Sequence, residues 1–265
     1  MRNKILTTAL LLSISFLLSG CSDKKEDPAI EEVTLETQEY TPAPEITEIA
    51  TEEEPVLNDI PPEEGMVRSR LTNEWVSADV ASLRPLAVMI PNDKSALPQY
   101  NISNADIVYE CLVEGEITRL MAIFGDWTTL ERVGNVRSCR DYFVYWAFEW
   151  DAIYCHAGGP FYIDEVIGRS DTQNINALVA PQGVFYRTSD RSAPQNLYLD
   201  GQGILSEAVR LGYDLSPRNG YSDNVHFQFA TKANPNNMEE YGSSAVNATK
   251  IDLAAAYPVT QTWFE

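Results

Sequence analysis

The sequence predicts an α+β domain behind a short apolar leader and an acidic stretch. Three observations lead there. Short β-type runs and amphipathic helical runs mix along residues 65–249 without the strict alternation of a parallel α/β protein. The hydrophobic fraction of 44% is that of a globular chain. About 200 residues remain once the leader and the acidic stretch are set aside, enough for one good core.

Leu86-Ala87-Val88-Met89-Ile90, bounded by Pro85 and Pro91, reads as a short buried strand. Ile107 to Glu114 is the next strand, and Ile117 to Phe124 its hairpin partner. With Gly115 and Glu116 as a two-residue loop, Leu112 falls opposite Arg119. Glu110, Leu112, Glu114 and Arg119 then share a face. Ser138 to Trp150 is the strongest helix. Ser138 and Asp141 have the spacing of an N-terminal cap, and Phe143, Trp146, Ala147 and Trp150 form one apolar stripe. Ala152 to His156 is a strand ending at the turn Ala157-Gly158-Gly159-Pro160, and Phe161 to Gly168 a short helix. Gln202 to Leu211 is a helix stopped by Gly212. Val225, Phe227 and Phe229 alternate with polar residues as in a late strand.

Residues 1–20 read as a signal peptide. Arg2 and Lys4 precede an apolar run of about 14 residues, too short for a span, which needs about 20. Leu18-Ser19-Gly20-Cys21 resembles the bacterial lipobox. That resemblance implies lipidation at Cys21 and a protein held on the extracytoplasmic face of the cell membrane. Residues 21–64 read as an acidic disordered tether. Ser22 to Glu64 carries 15 acids and two lysines, about −13 of the formal net charge of −20, with Tyr40 as its one aromatic residue. As a flexible coil it reaches roughly 35 Å. Such acidity argues against nucleic acid as a partner, because phosphates are repelled.

Cys21, Cys111, Cys139 and Cys155 match no zinc spacing. Cys111 and Cys155 lie in apolar runs, as buried free thiols do, and Cys139 stands near a helix start. No cofactor or metal motif is present: Gly-x-Ser-x-Gly, H-E-x-x-H and the P-loop pattern are all absent.

The chain resembles the YerB-like bacterial lipoprotein family, whose domain is labelled as of unknown function. The matching stretches begin with Arg84 to Ile90, Ala105 to Glu110 and Val113 to Arg119. Gly134 to Ser138 with Arg140, Asp151 to Tyr154 and His156 to Gly159 follow, then Ala193-Pro194 and Asn196 to Tyr198. They span roughly residues 68–230. The resemblance implies a layered α/β sandwich, with a mixed or antiparallel sheet, over residues 65–249. It also implies a smaller C-terminal domain starting near Lys250, so that 250–265 is a truncated beginning. The strand-like ending Val259 to Glu265, with Trp263 and Phe264, agrees with a fragment. Gln195 stands where the family usually has histidine, and Cys139 where it usually has alanine.

Several residues are candidates for a site. Arg137, Ser138 and Arg140 flank a helix start, where free N–H groups and two guanidiniums suit a phosphate or carboxylate. Arg187, with Arg191, is a second basic point. Glu110 and Glu114 are a carboxylate pair, but strand spacing puts their Cα atoms about 13 Å apart, poor for glycosidase chemistry. Arg119 on the same face makes a cross-strand ion pair the simpler use. His156 ends a strand at a Gly-Gly turn, a position where catalytic residues occur. Gly168-Arg169-Ser170-Asp171-Thr172 looks like a motif of wall-polymer transferases, over five residues only, and is read as a turn.

The sequence thus points to a membrane-anchored envelope lipoprotein. Its domain is expected to be a non-catalytic binding or regulatory module of the cell wall machinery, with an envelope protein or wall fragment as partner. The alternative is a wall hydrolase or transferase acting on a phosphate-bearing or glycan substrate. In that reading Arg137 and Arg140 hold the anion, His156 moves the proton, and Glu110 or Glu114 orients it.

Overall fold

The structure is a computed structural model that describes residues 60–218, 220–221, 226–230, 239–244, 250–252 and 263–264. The expected leader, Cys21 and the expected tether up to residue 59 lie outside the described residues. The chain divides into two units, 1–52 and 53–265, and everything described belongs to the second.

A hairpin of β1 (Met66–Arg68) and β2 (Trp75–Ser77) leads into the short helix α1 (Ala78–Ser82), capped by the Ser77 hydroxyl, which accepts from the Val80 N–H. Then come β3 (Leu86–Pro91), β4 (Ile107–Leu112), β5 (Thr118–Phe124) and β6 (Val133–Gly134). Helix α2 (Asp141–Glu149), β7 (Ile153–His156), α3 (Asp164–Ile167) and β8 (Asn174–Asn176) follow. The last elements are β9 (Phe185–Arg187), β10 (Leu197–Leu199), α4 (Gly201–Arg210) and the pair β11 (Ile251–Asp252) and β12 (Trp263–Phe264). Strand β12, within the strand expected at the C-terminus, pairs antiparallel with β11.

Five strands form one mixed sheet in the order β4-β5-β3-β7-β8. β4, β5 and β3 are antiparallel neighbours; β3, β7 and β8 run parallel. The unbroken apolar run of β3 is explained by burial on both faces. Leu86, Val88 and Ile90 join Phe124, Ile153, Leu199 and Ile204 in one layer, under the small sheet β6-β10-β9 and α4. Ala87 and Met89 join Met121, Tyr154 and the α2 residues Phe143, Val144 and Ala147 in the other. Each such large side chain, fully buried, stabilises by about 1.5–3 kcal/mol. The layered α+β sandwich with a mixed sheet is therefore present. Among the described residues no helix is long and apolar enough to cross a membrane.

Three local expectations are corrected. The hairpin pairs Cys111 with Arg119 and Glu110 with Leu120, one residue away from the expected register. The cause is a three-residue loop, Glu114–Gly115–Glu116, closed by the Val113 N–H donating to the Ile117 carbonyl, with positive φ at Gly115 and Glu116. A one-residue slip sends Arg119 to the face opposite Glu110. Second, α2 begins at Asp141 with Arg140 as its N-cap, and Ser138 caps nothing. The backbone around Ser138 is held elsewhere, because Arg137 N–H donates to the Met89 carbonyl and Cys139 N–H to the Gly158 carbonyl. Third, residues 226–230 form no strand; Val225 lies outside the described residues. His226 and Phe227 instead pack on Trp150, with ring centroids 4.2 and 5.3 Å away.

Candidate functional site

The parallel half of the sheet splits at its carboxyl end. β3 and β7 pair from Leu86–Ile153 to Val88–Cys155. Beyond that point an extended segment, Val136 to Cys139, lies between them. Arg137 N–H donates to the Met89 carbonyl, and Ala157 N–H donates to the Arg137 carbonyl. On the outer side, Val136 N–H donates to the carbonyl of Leu197 in β10. Val136 is buried in one core layer and Cys139 in the other, which fixes the segment at both ends.

A pocket of about 180 Å³ opens here, lined by Val136, Arg137, Ser138, Ala157, Leu178, Arg187, Pro194 and Leu197. It sits just past the carboxyl ends of β7 and β8, the usual place for ligands in open sheets with parallel strands. Asn176, the last residue of β8, binds two of its loops: its Oδ1 accepts from Gly158 N–H at 2.9 Å and Leu178 N–H at 3.0 Å.

Arg137 and Arg187, fifty residues apart in sequence, thus meet in one pocket. Arg84, Arg132, Arg140, Arg169, Arg210 and Arg218 each contact a carboxylate. Among the described residues nothing accepts a hydrogen bond from the Arg137 side chain, and its Nε is buried without a partner. Arg187 donates to Asn196 Oδ1 at 2.8 Å, and Asn196 Nδ2 in turn donates to the Thr188 carbonyl. No acidic residue lines the pocket.

Arg119 stands behind this segment. It is 6% exposed and donates to the Ser138 carbonyl at 2.8 Å. Burial pushes its pKa down to about 10, with Arg140 and Arg137 adding repulsion. Its role is to hold the segment, not to pair with Glu110. Glu110 accepts from Asn92 Nδ2 at 3.0 Å and Thr118 Oγ1 at 2.6 Å.

The other expected site residues are placed elsewhere. Arg140 is committed to Glu114 in a two-pronged ion pair, with Nε 2.8 and 3.0 Å from the carboxylate oxygens. Glu114 sits in the hairpin loop, so Glu110 and Glu114 share no strand face. His156 is 1% exposed and faces acceptors on both nitrogens: the Gly158 carbonyl at 2.9 Å and Asn174 Oδ1 at 3.1 Å. Burial holds its pKa below the ordinary 6.5. It has no face toward the pocket and no nitrogen left for a substrate proton. Gln195 donates to Ser95 Oγ at 3.0 Å, and Arg191 to the Ala96 carbonyl. Arg169 and Asp171 form an exposed turn pair.

Of the thiols, Cys155 and Cys139 are buried and Cys111 half-buried, all free. Burial raises the Cys139 thiol to about 11, so it is a poor nucleophile at neutral pH. Among the described residues no three His, Cys, Asp or Glu side chains gather as metal ligands. Sequence reasoning did not name Leu178, Pro194, Asn176 or Asn196 as site residues, although Pro194 and Asn196 lie in stretches that carry the family resemblance. Loop apolar residues and asparagines next to strand ends carry no signal of their own until the strands are ordered in space.

The family model described as "Protein of unknown function (DUF3048) N-terminal domain" matches residues 71–214, which contain the whole pocket. A Bacillus subtilis (strain 168) protein named "Putative lipoprotein YerB" is 35% identical over 149 residues, 56% of this chain and 45% of that protein. The crystal structure of YerB protein from Bacillus subtilis superposes with a TM-score of 0.55 at 34% identity, over 57% of this chain and 52% of that one. The chain spans about half the length of the relatives it matches.

Proposed function

Because the chain belongs to the DUF3048 family, we propose that it is a lipid-anchored protein of the cell envelope whose domain binds an anionic ligand in the Arg137–Arg187 pocket without turning it over. The lipobox-like Leu18 to Cys21 and the name of the Bacillus subtilis relative support the anchor at Cys21 and an extracytoplasmic location. One observation carries the binding reading: in a chain of net charge −20, Arg137 is left without a carboxylate beside Arg187, in a pocket lined by no acid. An unpaired guanidinium half withdrawn from water gains most from a bound anion, which supplies the two-pronged acceptor it lacks. Anions within reach of the tether include those of wall fragments, of envelope proteins of the wall machinery and of membrane lipids.

The test is thermal unfolding of the full chain, inserted in phosphatidylcholine vesicles, with phosphate, pyrophosphate and wall fragments. A ligand at one hundred times its dissociation constant stabilises by roughly 2.7 kcal/mol. Stabilisation by an anion that Arg137→Ala removes is the expected result. No stabilisation by any of them, with wild type and variant alike, removes the anion pocket from the function. Incorporation of labelled palmitate, lost in Cys21→Ala, is expected if the anchor is real; label retained in the variant sinks that part.

A further inference from the structure

The size and rim of the pocket narrow the class of ligand, on the premise that the pocket binds an anion at all. A volume of about 180 Å³ is below the roughly 300–1,000 Å³ that encloses a whole drug-sized ligand. It holds an anionic head, and whatever bears that head lies across the rim. Polar rims suit sugars and peptides. Here the lining beside the arginines and Ser138 is Val136, Ala157, Leu178, Pro194 and Leu197. Leu178 is 66% exposed, and Pro194 is exposed as well. The Leu178 side chain lies over Gly158, where an added Cβ would come 2.7 Å from its Cδ1.

We infer that the site takes a phosphate group carried on an apolar stem, with Arg137, Arg187 and Ser138 around the phosphate and Leu178 and Pro194 along the stem. Exposed apolar side chains beside an uncompensated cation are costly in water and become useful when one molecule covers both. A phosphate-bearing lipid at the membrane surface and a diffusible apolar phosphate share this chemistry.

The experiment uses the full chain in phosphatidylcholine vesicles and radiolabelled inorganic phosphate, displaced by butyl phosphate or by glycerol phosphate. Burying two methylene groups predicts displacement by butyl phosphate at about tenfold lower concentration. Leu178→Ser should collapse that ratio toward one, and Arg137→Ala should abolish phosphate binding. Equal displacement by the two competitors, or a ratio unchanged in Leu178→Ser, overturns the apolar stem while leaving the anion pocket standing. Absence of phosphate binding to the wild-type chain overturns both. Phosphatidic acid added to the vesicles separates the sources. Competition from it identifies a membrane lipid, and preference for butyl phosphate without such competition identifies a diffusible ligand.

Discussion

Arg84 and Asp151 form an ion pair in which neither side chain is exposed. Arg84 Nη2 lies 3.2 Å from Asp151 Oδ1, close enough for charge pairing though outside hydrogen-bonding geometry. Arg84 Nε donates to the Asp151 carbonyl at 2.7 Å, and Nη1 reaches the Asp214 carbonyl at 2.9 Å. Asp151 also accepts from the backbone N–H and the Nε of Arg218, at 2.7 and 2.5 Å. This network ties residues 214–218 to the edge of the core opposite the pocket, where β3 and β7 begin.

Asp151→Asn is the informative substitution there. Asp151 has a positive φ of 53°, which Asn tolerates about as well, so the change removes charge without adding backbone strain. It leaves Arg84 buried without its counter-charge, and the expected loss is about 3–5 kcal/mol in urea unfolding. Adding Arg84→Met should cost less than the sum of the two single changes. Strict additivity would mean that the pair does not act as a unit.

Asn176→Ala should weaken fold and pocket together. Its Oδ1 serves both the Gly158 and the Leu178 N–H, and so joins the turn after β7 to the loop after β8. Two hydrogen bonds at about 0.5–1.5 kcal/mol each predict a loss of about 1–3 kcal/mol. Phosphate binding should fall with it, since Ala157 and Leu178 are then held less firmly. Thermal unfolding with and without phosphate reads both; a stability loss at unchanged phosphate affinity would mean the pocket does not depend on that clamp.

The sequence made the layers legible and the site only in part. β3, β7 and the α2 stripe could be read because buried strands and amphipathic helices write their burial into local periodicity. Phe143 and Ala147 are buried as the stripe requires. The hairpin register was not legible, since it depends on Glu116 adopting a positive φ, which no glycine marks. Nor was the meeting of Arg137 and Arg187. It requires the sheet to split around Val136 to Cys139 and β10 to bring Asn196 beside β9, both consequences of long-range order.

Arg140 offers a control on the site. The sequence put it beside Arg137 as an anion ligand, but its guanidinium is held by Glu114. Arg140 hydrogen bonding, the largest cause, keeps Glu114 below the ordinary carboxylate pKa. The Glu114 side chain is 63% exposed, so the pair contributes at most about 1 kcal/mol, less at high salt. A group whose folded pKa is lowered contributes stability above its unfolded value and loses it as pH falls through the folded one. Glu114→Gln should therefore cost a few tenths of a kcal/mol at neutral pH, and nothing below the folded pKa. The same variant frees Arg140 and is expected to tighten phosphate binding slightly, through added positive potential. Weaker phosphate binding in Glu114→Gln would place the carboxylate itself in the site's support.

His156 makes stability depend on pH in a defined direction. Both ring nitrogens face oxygen acceptors, and the Asn174 amide cannot turn to relieve this, because its Nδ2 donates to the Ile167 and Thr172 carbonyls. Burial nevertheless dominates and holds the native pKa below 6.5. Between the native pKa and 6.5 the unfolded chain therefore binds more protons than the native one. The stability associated with the neutral ring is complete above 6.5 and declines as pH falls below it. It levels off once the native ring is protonated as well, with a slope of at most about 1.4 kcal/mol per pH unit. His156→Gln keeps one hydrogen bond and cannot titrate. Urea unfolding of the variant should give lower stability at pH 8 and a flatter profile from about pH 6.5 to 5 than wild type. Parallel profiles would show that the ring does not carry the acid sensitivity, and that protonation of His156 is already accommodated in the native core.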